Sequence, residues 1–474
     1  MKQKIIPGNL LWPFILLTAL FFAWAVPNNL TDTMLAAFKR IMSLTDSKTA
    51  WIQVVCYLLG YGFCAIPGAL FIKKYTYKAG VVGGLGLYIL GCCLFYPAKL
   101  CLQIDANFSF MVYLFAIFIL FAGLSVLETS ANSYVYAIGP EESATRRLNF
   151  SQSFNPFGSI SGVVISQVFI LSQLNLLTAS ERNAISAEEL TNIQGAELNA
   201  VTMTYVCLGF IMAILFFAIL FTRMPNLREG GQKLDFGATF KRLKKNKNYV
   251  WGVVAQFFYV GAQIAVWSFI IRYVMQQLGF DAIIASLGSN ASGDDVVAAL
   301  RHVEPVAAGF YAFCEFIGLN DLLPRTAEQA GATYYIMSLV LFVVMRFVCT
   351  WLMKYFRAVK ILTALSVAAV VFCLLTIYGQ GVVGVYAIMC ISGCMSLMFP
   401  TIYGLGIQGL GEDTKIGGAG MVMAIAGAAV LTQIQGILSD SSSITVAYWV
   451  PTIAFGIIAL YSLTVSRIKK PVNL

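Results

Sequence analysis

The sequence predicts an all-α membrane protein, with twelve transmembrane helices in two pseudo-symmetric halves of six. Three observations carry this. Of 474 residues, 59% are hydrophobic and 11% charged. A soluble domain holds about 25% charged residues, so this chain has too little charge to solvate a globular surface of its size. The apolar residues fall in runs of about 20 or more, the length that crosses a hydrocarbon core. Short stretches of the first part of the chain also recur in the second.

The first span, 11–37, grows from the apolar run Leu10 to Val26. That run is followed by PNNLTD and more apolar sequence, not by a small-residue cleavage site, so it reads as a helix and not as a leader. Spans 50–72, 79–98, 108–138, 148–173 and 199–222 complete the first half, 1–222. A basic linker, 223–248, joins it to the second half, 249–474. That half holds spans 249–276, 332–353, 359–379, 381–409, 416–438 and 444–466. Its insert, 277–331, has an apolar run of about 14 residues with Glu315 inside, too short to span. One or two amphipathic helices on the outer surface are expected there.

Basic residues orient the bundle. With both termini inside, twenty-two Lys and Arg fall in inner segments and seven in outer ones. The net charge of +9 is this inside-positive signature and needs no nucleic acid. Most of the eleven cysteines lie in apolar runs, where they serve as small hydrophobes. Cys101 and Cys314 fall in expected outer loops, where a disulfide between them and two free thiols are both open. No His/Cys cluster suggests a metal or cofactor.

The repeat is visible in the basic turns FIKKY (71–75) and LMKYF (352–356). It also appears where GLSVLETSANSYVYAIGPEE (123–142) aligns with GCMSLMFPTIYGLGIQGLGE (393–412) at an offset of 270. Two similar halves joined by a basic loop are a transporter architecture, with the site at their interface.

A charge at mid-bilayer costs at least about 2.5–3.5 kcal/mol, so an acid there is functional by default. Two acids lie deep in spans, Asp32 and Glu128. Asp32 follows Asn28 and Asn29 by four and three residues, which puts all three on one helix face. Asn132 follows Glu128 by four, and Gln152 and Asn155 are three apart. Gln256, Tyr259, Gln263 and Trp267 form one stripe on the seventh helix. Amides donate and accept, as hydroxyl-bearing ligands require, and aromatics offer flat apolar faces. Together they suit a neutral polyol such as a sugar. Against this stand helix–helix hydrogen bonding by the amides, core packing by the stripe, and a structural ion pair of either acid with Arg346. Desolvation favours the neutral form of a buried carboxylate, which lets it take up and release a proton. Sodium coupling stays open as well, because Asp32 with Asn28 and Thr31 offers oxygen ligands. Neither acid has a counterpart in the second half, so protons belong to the first half and ring contacts to the second.

Six stretches add a likeness: FFAWAVPNNLTDTMLAAF, KKYTYKAG, LETSANSYV, RLNFSQSFNPFG, AQFFYVGAQIAVWSFIIRY and FPTIYGLGIQGLGEDTK. In this order they resemble the L-fucose–proton symporter family of the major facilitator superfamily, over about 400 residues of both halves. The resemblance implies an alternating-access fold that imports a deoxyhexose with a proton across a bacterial inner membrane, as a monomer, with both termini cytoplasmic. It implies that Asp32 serves substrate recognition and coupling, and that Glu128 takes and releases the proton. It makes Asn29, Gln152 and Asn155 pocket amides, and Trp24, Phe342 and Phe399 pocket aromatics. Phe399 stands where the family pattern has a tyrosine, Pro27 and Pro156 replace small or polar residues, and the 277–331 insert is longer. Glucose, galactose and N-acetylhexosamine carriers of the same family remain alternatives. A drug or peptide exporter would want a larger, less amide-rich cavity, and an enzyme lacks any nucleophile–base or metal constellation.

Overall fold

The computed structural model describes residues 10–42, 51–170, 173, 182, 185–225, 236–287, 293–303, 305–324 and 327–468. Its regular elements among these residues are helices. Helix α1, Leu11–Ile41, contains Pro27. A proline removes one intrahelical bond, and membrane helices tolerate this where neighbouring groups bond the nearby backbone. Two side-chain amides bond other carbonyls of this helix, Asn155 that of Phe21 at 3.2 Å and Asn29 that of Ala25 at 3.0 Å. The side chains of residues 31–37, Asp32 included, lie outside the described residues.

The second span is not a uniform α-helix. Val54–Phe63 is π-helical and continues as α2, Cys64–Lys74. Helix α3, Tyr77–Leu100, starts on Thr76, whose side chain accepts from the Ala79 amide. Helix α4, Ala106–Ala137, starts on Asp105, which caps the Phe108 amide. The fifth span is broken into α5, Ala144–Gln152, and α6, Asn155–Phe169. Pro156, in the first turn of α6, has no N–H to continue α5. Helix α7, Ala187–Phe221, begins well before the expected 199. Its first turns, AEELTNIQGAEL, are too polar for a hydropathy reading yet rich in helix formers. Ser186 caps the Glu189 amide, and Glu188 and Glu189 sit at the positive end of the dipole.

Helix α8, Phe236–Lys245, precedes α9, Lys247–Leu278. Among the described residues the insert holds three short α-helices, where one or two were expected: α10, Phe280–Ser286; α11, Gly293–Arg301; and α12, Pro305–Phe316. Gly279, before α10, and Gly318, after α12, take left-handed turns at φ 65° and 76°. An Arg301–Glu315 ion pair ties α11 to α12. The remaining spans are α13, Ala327–Leu352; α14, Ala358–Tyr378; α15, Val382–Met395, with α16, Met398–Ile407; α17, Thr414–Met423, with α18, Gly427–Ser441; and α19, Ile444–Ala447, with α20, Trp449–Ile468.

Eleven helices among the described residues are long and apolar enough to cross a membrane, and the broken α5–α6 pair fills the fifth of twelve spans. Phe210, Phe221, Ile437 and Leu460 are largely exposed, as lipid-facing side chains would be and water-facing ones rarely are. All eleven cysteines are free, so the Cys101–Cys314 bridge is not formed.

The chain divides into two compact units. One comprises Met1–Val254 with Ile402–Ala429. Inside it, α3 and α4 cross at contact distance through glycines: a Cβ on Gly84 would meet the Leu127 amide nitrogen at 2.7 Å, and one on Gly123 the Tyr88 nitrogen at 2.6 Å. Residues 402–429 bind here through several polar contacts. The Tyr403 and Ser133 hydroxyls lie 3.0 Å apart, Arg242 holds both oxygens of Asp413 at 2.8 and 2.7 Å, and Tyr249 donates to the Gly417 carbonyl. Ser133 and Tyr403 are the positions that the 270-residue repeat pairs. The other unit comprises Ala255–Thr401 and Val430–Leu474. There Tyr273 donates to the Thr376 carbonyl at 2.6 Å, joining α9 to α14, and Thr363 bonds Ser462, joining α14 to α20.

Candidate functional site

In the first unit, residues from four spans meet on Glu128. Glu128 is 6% exposed. It is hydrogen-bonded by the Tyr61 hydroxyl and by the Asn132 side chain. The Asn132 Nδ2 also donates to the Glu128 carbonyl at 2.9 Å, and its Oδ1 accepts from Gln152 Nε2 at 2.9 Å. On the other side Tyr61 is linked to Asn28, whose Nδ2 lies 3.2 Å from the phenolic oxygen. A continuous hydrogen-bonded chain thus runs Asn28, Tyr61, Glu128, Asn132, Gln152. Among the described residues no cation pairs with Glu128. The carboxyl is held by neutral groups, which can serve either of its protonation states.

Local sequence explains how these side chains arrive. The wider turn of the π segment, with bonds from i to i+5, carries Tyr61. Gly60 lets that segment approach α4 closely: a Cβ there would lie 2.6 Å from the Phe121 Cβ. The Tyr61 ring then meets Phe121 edge-on at 5.9 Å, and Ser125 donates to the Tyr61 carbonyl at 3.3 Å. Arg147, fully buried, donates to the Val135, Tyr136 and Pro140 carbonyls at the end of α4. A guanidinium at a helix C-terminus satisfies orphan carbonyls and the dipole together. This fixes α5 against α4 and sets Gln152 beside Asn132. Gln152 ends α5 at the helix break, a place where discontinuous membrane helices expose polar groups to a site.

A second group lies along the contact of α1 with α6. Asn29 is half-buried on α1, and its Cβ lies against Gly162. Asn155, also half-buried, reaches the Phe21 carbonyl from α6. Trp24 is buried with its ring centroid 4.3 Å from that of Phe21. The backbone of Asp32 continues α1 one turn beyond Asn28.

In the second unit the expected stripe of α9 meets aromatic partners. Tyr259 donates to the Met395 carbonyl at 3.0 Å and packs against Phe399 at 6.2 Å. Trp267 donates from Nε1 to Ser392 at 3.2 Å and meets Phe342 edge-on at 5.2 Å. Arg346 lies over the Phe342 ring at 4.8 Å and donates to the Ser396 carbonyl. Gln263 is half-buried. Gln256 is fully buried, and among the described residues neither its Nε2 nor its Oε1 has a partner.

A model of the Major Facilitator Superfamily matches residues 11–294. The L-fucose-proton symporter of Haemophilus influenzae is 34% identical over 99% of this chain and 100% of its own. That of Escherichia coli K12 is 34% identical over 95% and 92%. A crystal structure of the E. coli fucose:proton symporter superposes with a TM-score of 0.77 at 32% identity, covering 96% of this chain and 98% of that one. The chain belongs to the Major Facilitator Superfamily, in its L-fucose-proton symporter family.

Of the sequence-predicted residues, Asn28, Glu128, Asn132 and Gln152 are linked in the first unit, with Asn29, Asn155 and Trp24 along the α1–α6 contact, and Gln256, Tyr259, Gln263, Trp267, Phe342 and Phe399 belong to the second unit. Tyr61 and Ser392 were not anticipated. In sequence Tyr61 is one more aromatic in LLGYGF, and only its two flanking glycines hint at a close approach. Ser392 shows no signal, because its role depends on which residue Trp267 reaches.

Proposed function

We propose that this protein is a secondary active transporter that imports a monosaccharide of the L-fucose class together with a proton, by alternating access. The carrying observation is the chain of bonds that joins a buried carboxyl, with no cation partner among the described residues, to a row of amides. One end can hold a proton and the other can bond hydroxyls. The L-fucose-proton symporters among its relatives supply the substrate class. In this reading Glu128 binds and releases the proton, and Asp32 links that event to the sugar. Asn28, Asn29, Asn132, Gln152, Asn155, Gln256 and Gln263 bond sugar hydroxyls. Trp24, Tyr259, Trp267, Phe342 and Phe399 supply ring contacts. The unsatisfied carboxamide of Gln256 has the character of a group whose partner arrives with the ligand. The halves 1–222 and 249–474, tethered by 223–248, are the parts that move in alternating access. The protein works as a monomer in a bacterial inner membrane.

Uptake of labelled L-fucose, glucose, galactose and N-acetylglucosamine into proteoliposomes, with and without a pH gradient, tests the reading. L-fucose is expected to accumulate only with the gradient. Gln152→Ala should weaken its binding by about 1–3 kcal/mol, because Asn132 Oδ1 or a sugar hydroxyl is left unpaired. Gradient-independent uptake, or unchanged affinity in Gln152→Ala, would remove proton coupling or Gln152 respectively from the scheme.

The inside-positive charge bias supports cytoplasmic termini. Single cysteines introduced in place of Phe240, on α8, and Phe310, on α12, are then expected to label from opposite sides of the membrane. Labelling from one side would refute the topology.

A further inference from the structure

We propose that Tyr61 is the positioning residue that couples the protonation of Glu128 to the sugar-facing amides. The inference rests on the transport reading above and adds a residue to it.

Tyr61 touches both ends of the problem. Its hydroxyl bonds the Glu128 carboxyl. The same oxygen lies 3.2 Å from Asn28 Nδ2 and 3.4 Å from Asn28 Oδ1, so the Asn28 bond can run in either direction. A hydroxyl donates once and accepts on its remaining lone pairs. When Glu128 is a carboxylate it can only accept, so the Tyr61 O–H donates to it and Asn28 Nδ2 donates to the phenolic oxygen. When Glu128 carries a proton, its own O–H can donate to Tyr61. The phenol then turns its O–H toward Asn28 Oδ1. No covalent bond in Tyr61 or Asn28 changes. Glu128 gains one proton, and the direction of two hydrogen bonds reverses.

The reversal is read on α1. Asn28 adjoins Asn29 and stands one turn before Asp32, so its amide orientation changes the donors and acceptors on the face that meets hydroxyls. Linkage makes the effect reciprocal: a sugar that prefers one orientation of Asn28 favours the matching state of Glu128. The position of Tyr61 is built for this. The π-helical segment, the Gly60 contact with Phe121, the Ser125 bond and the ring contacts with Tyr57 and Phe121 hold it from several sides. The other titratable groups facing this pair are Cys56 and Tyr88 beside Tyr61 and Tyr403 beside Glu128. These are thiol and phenol groups, neutral near pH 7. Among the described residues, Glu128 is the acid that Tyr61 meets directly.

Tyr61→Phe keeps the ring and its packing and removes only the hydroxyl. In proteoliposomes, sugar counterflow, which needs binding and movement but no net proton transfer, is expected to stay near wild type. Proton-driven accumulation should fall on the order of tenfold or more. Sugar affinity in Tyr61→Phe should also lose its wild-type dependence on pH. Accumulation at the wild-type level would overturn the proposal. Loss of counterflow together with accumulation would overturn it too, by placing Tyr61 in binding or packing. A wild-type protein that moves no sugar is a separate result, and it would bring down the transport reading instead.

Discussion

Glu128→Gln is expected to exchange sugar across the membrane and yet never concentrate it. The glutamine has nearly the volume of the glutamate and offers an oxygen to the Tyr61 hydroxyl, as the carboxyl does. Its amide is permanently neutral and so imitates the protonated acid. A pH difference of one unit is worth about 1.4 kcal/mol, enough to hold sugar at about tenfold excess when one proton accompanies each molecule. Wild-type vesicles should reach such an excess, and Glu128→Gln vesicles should stop at equality. Counterflow should persist, because it asks only for binding and reorientation. The effect follows from the surroundings of Glu128. Among the described residues no cation compensates it, so removing its charge strands no buried partner, the usual cause of collapse when one member of a buried pair is deleted. Uphill accumulation by Glu128→Gln, with proton entry, would move the proton elsewhere, with Asp32 first in line.

Much of this site was legible in the sequence because membrane chemistry is restrictive. An acid in a long apolar run has few structural excuses, so Glu128 stood out, and i, i+4 spacing set Asn132 beside it. The helix break at Ser153 and Phe154 was half-visible in Pro156. The links between helices were not. Tyr61 meets Glu128 because a π segment widens the turn and Gly60 admits Phe121, and neither leaves a periodic trace. The start of α7 was misplaced for a related reason: hydropathy reports what lipid covers, whereas Ser186 and the following acids begin a helix outside the apolar run. In the second unit the stripe on α9 was correctly spaced, but its partners, Ser392 and the Met395 carbonyl, are set by how α15 lies against it.

Gly158→Leu and Gly162→Val are expected to cost the fold, and with it the site. These glycines stand four apart, one above the other on the face of α6 that meets α1. Small residues at such spacing let membrane helices touch through their backbones. Here the contact is close enough that no side chain fits. A Cβ at Gly158 would lie 2.1 Å from the Phe22 carbonyl oxygen, and one at Gly162 2.4 Å from that of Val26. The obstacle in both cases is backbone, which cannot swing aside as a side-chain tip can. Even alanine must separate the helices, at a cost typical of overpacking, about 1–3 kcal/mol, and larger residues cost more. The separation also has a functional consequence. Asn155 reaches the Phe21 carbonyl only across this contact, and the Asn29 Cβ lies 3.3 Å from the position a Gly162 Cβ would take. Moving α6 outward therefore pulls two amides proposed to bind sugar away from each other. Gly158→Ala should lower the melting temperature and weaken sugar binding together. The larger substitutions should leave little monodisperse protein on size-exclusion chromatography. Gly456→Ala is the matched control, because a Cβ there meets nothing within 4 Å, and it should melt as wild type. If Gly158→Ala melts with Gly456→Ala, then α1 and α6 are not held by backbone contact, and the geometry assigned to Asn29 and Asn155 fails with it.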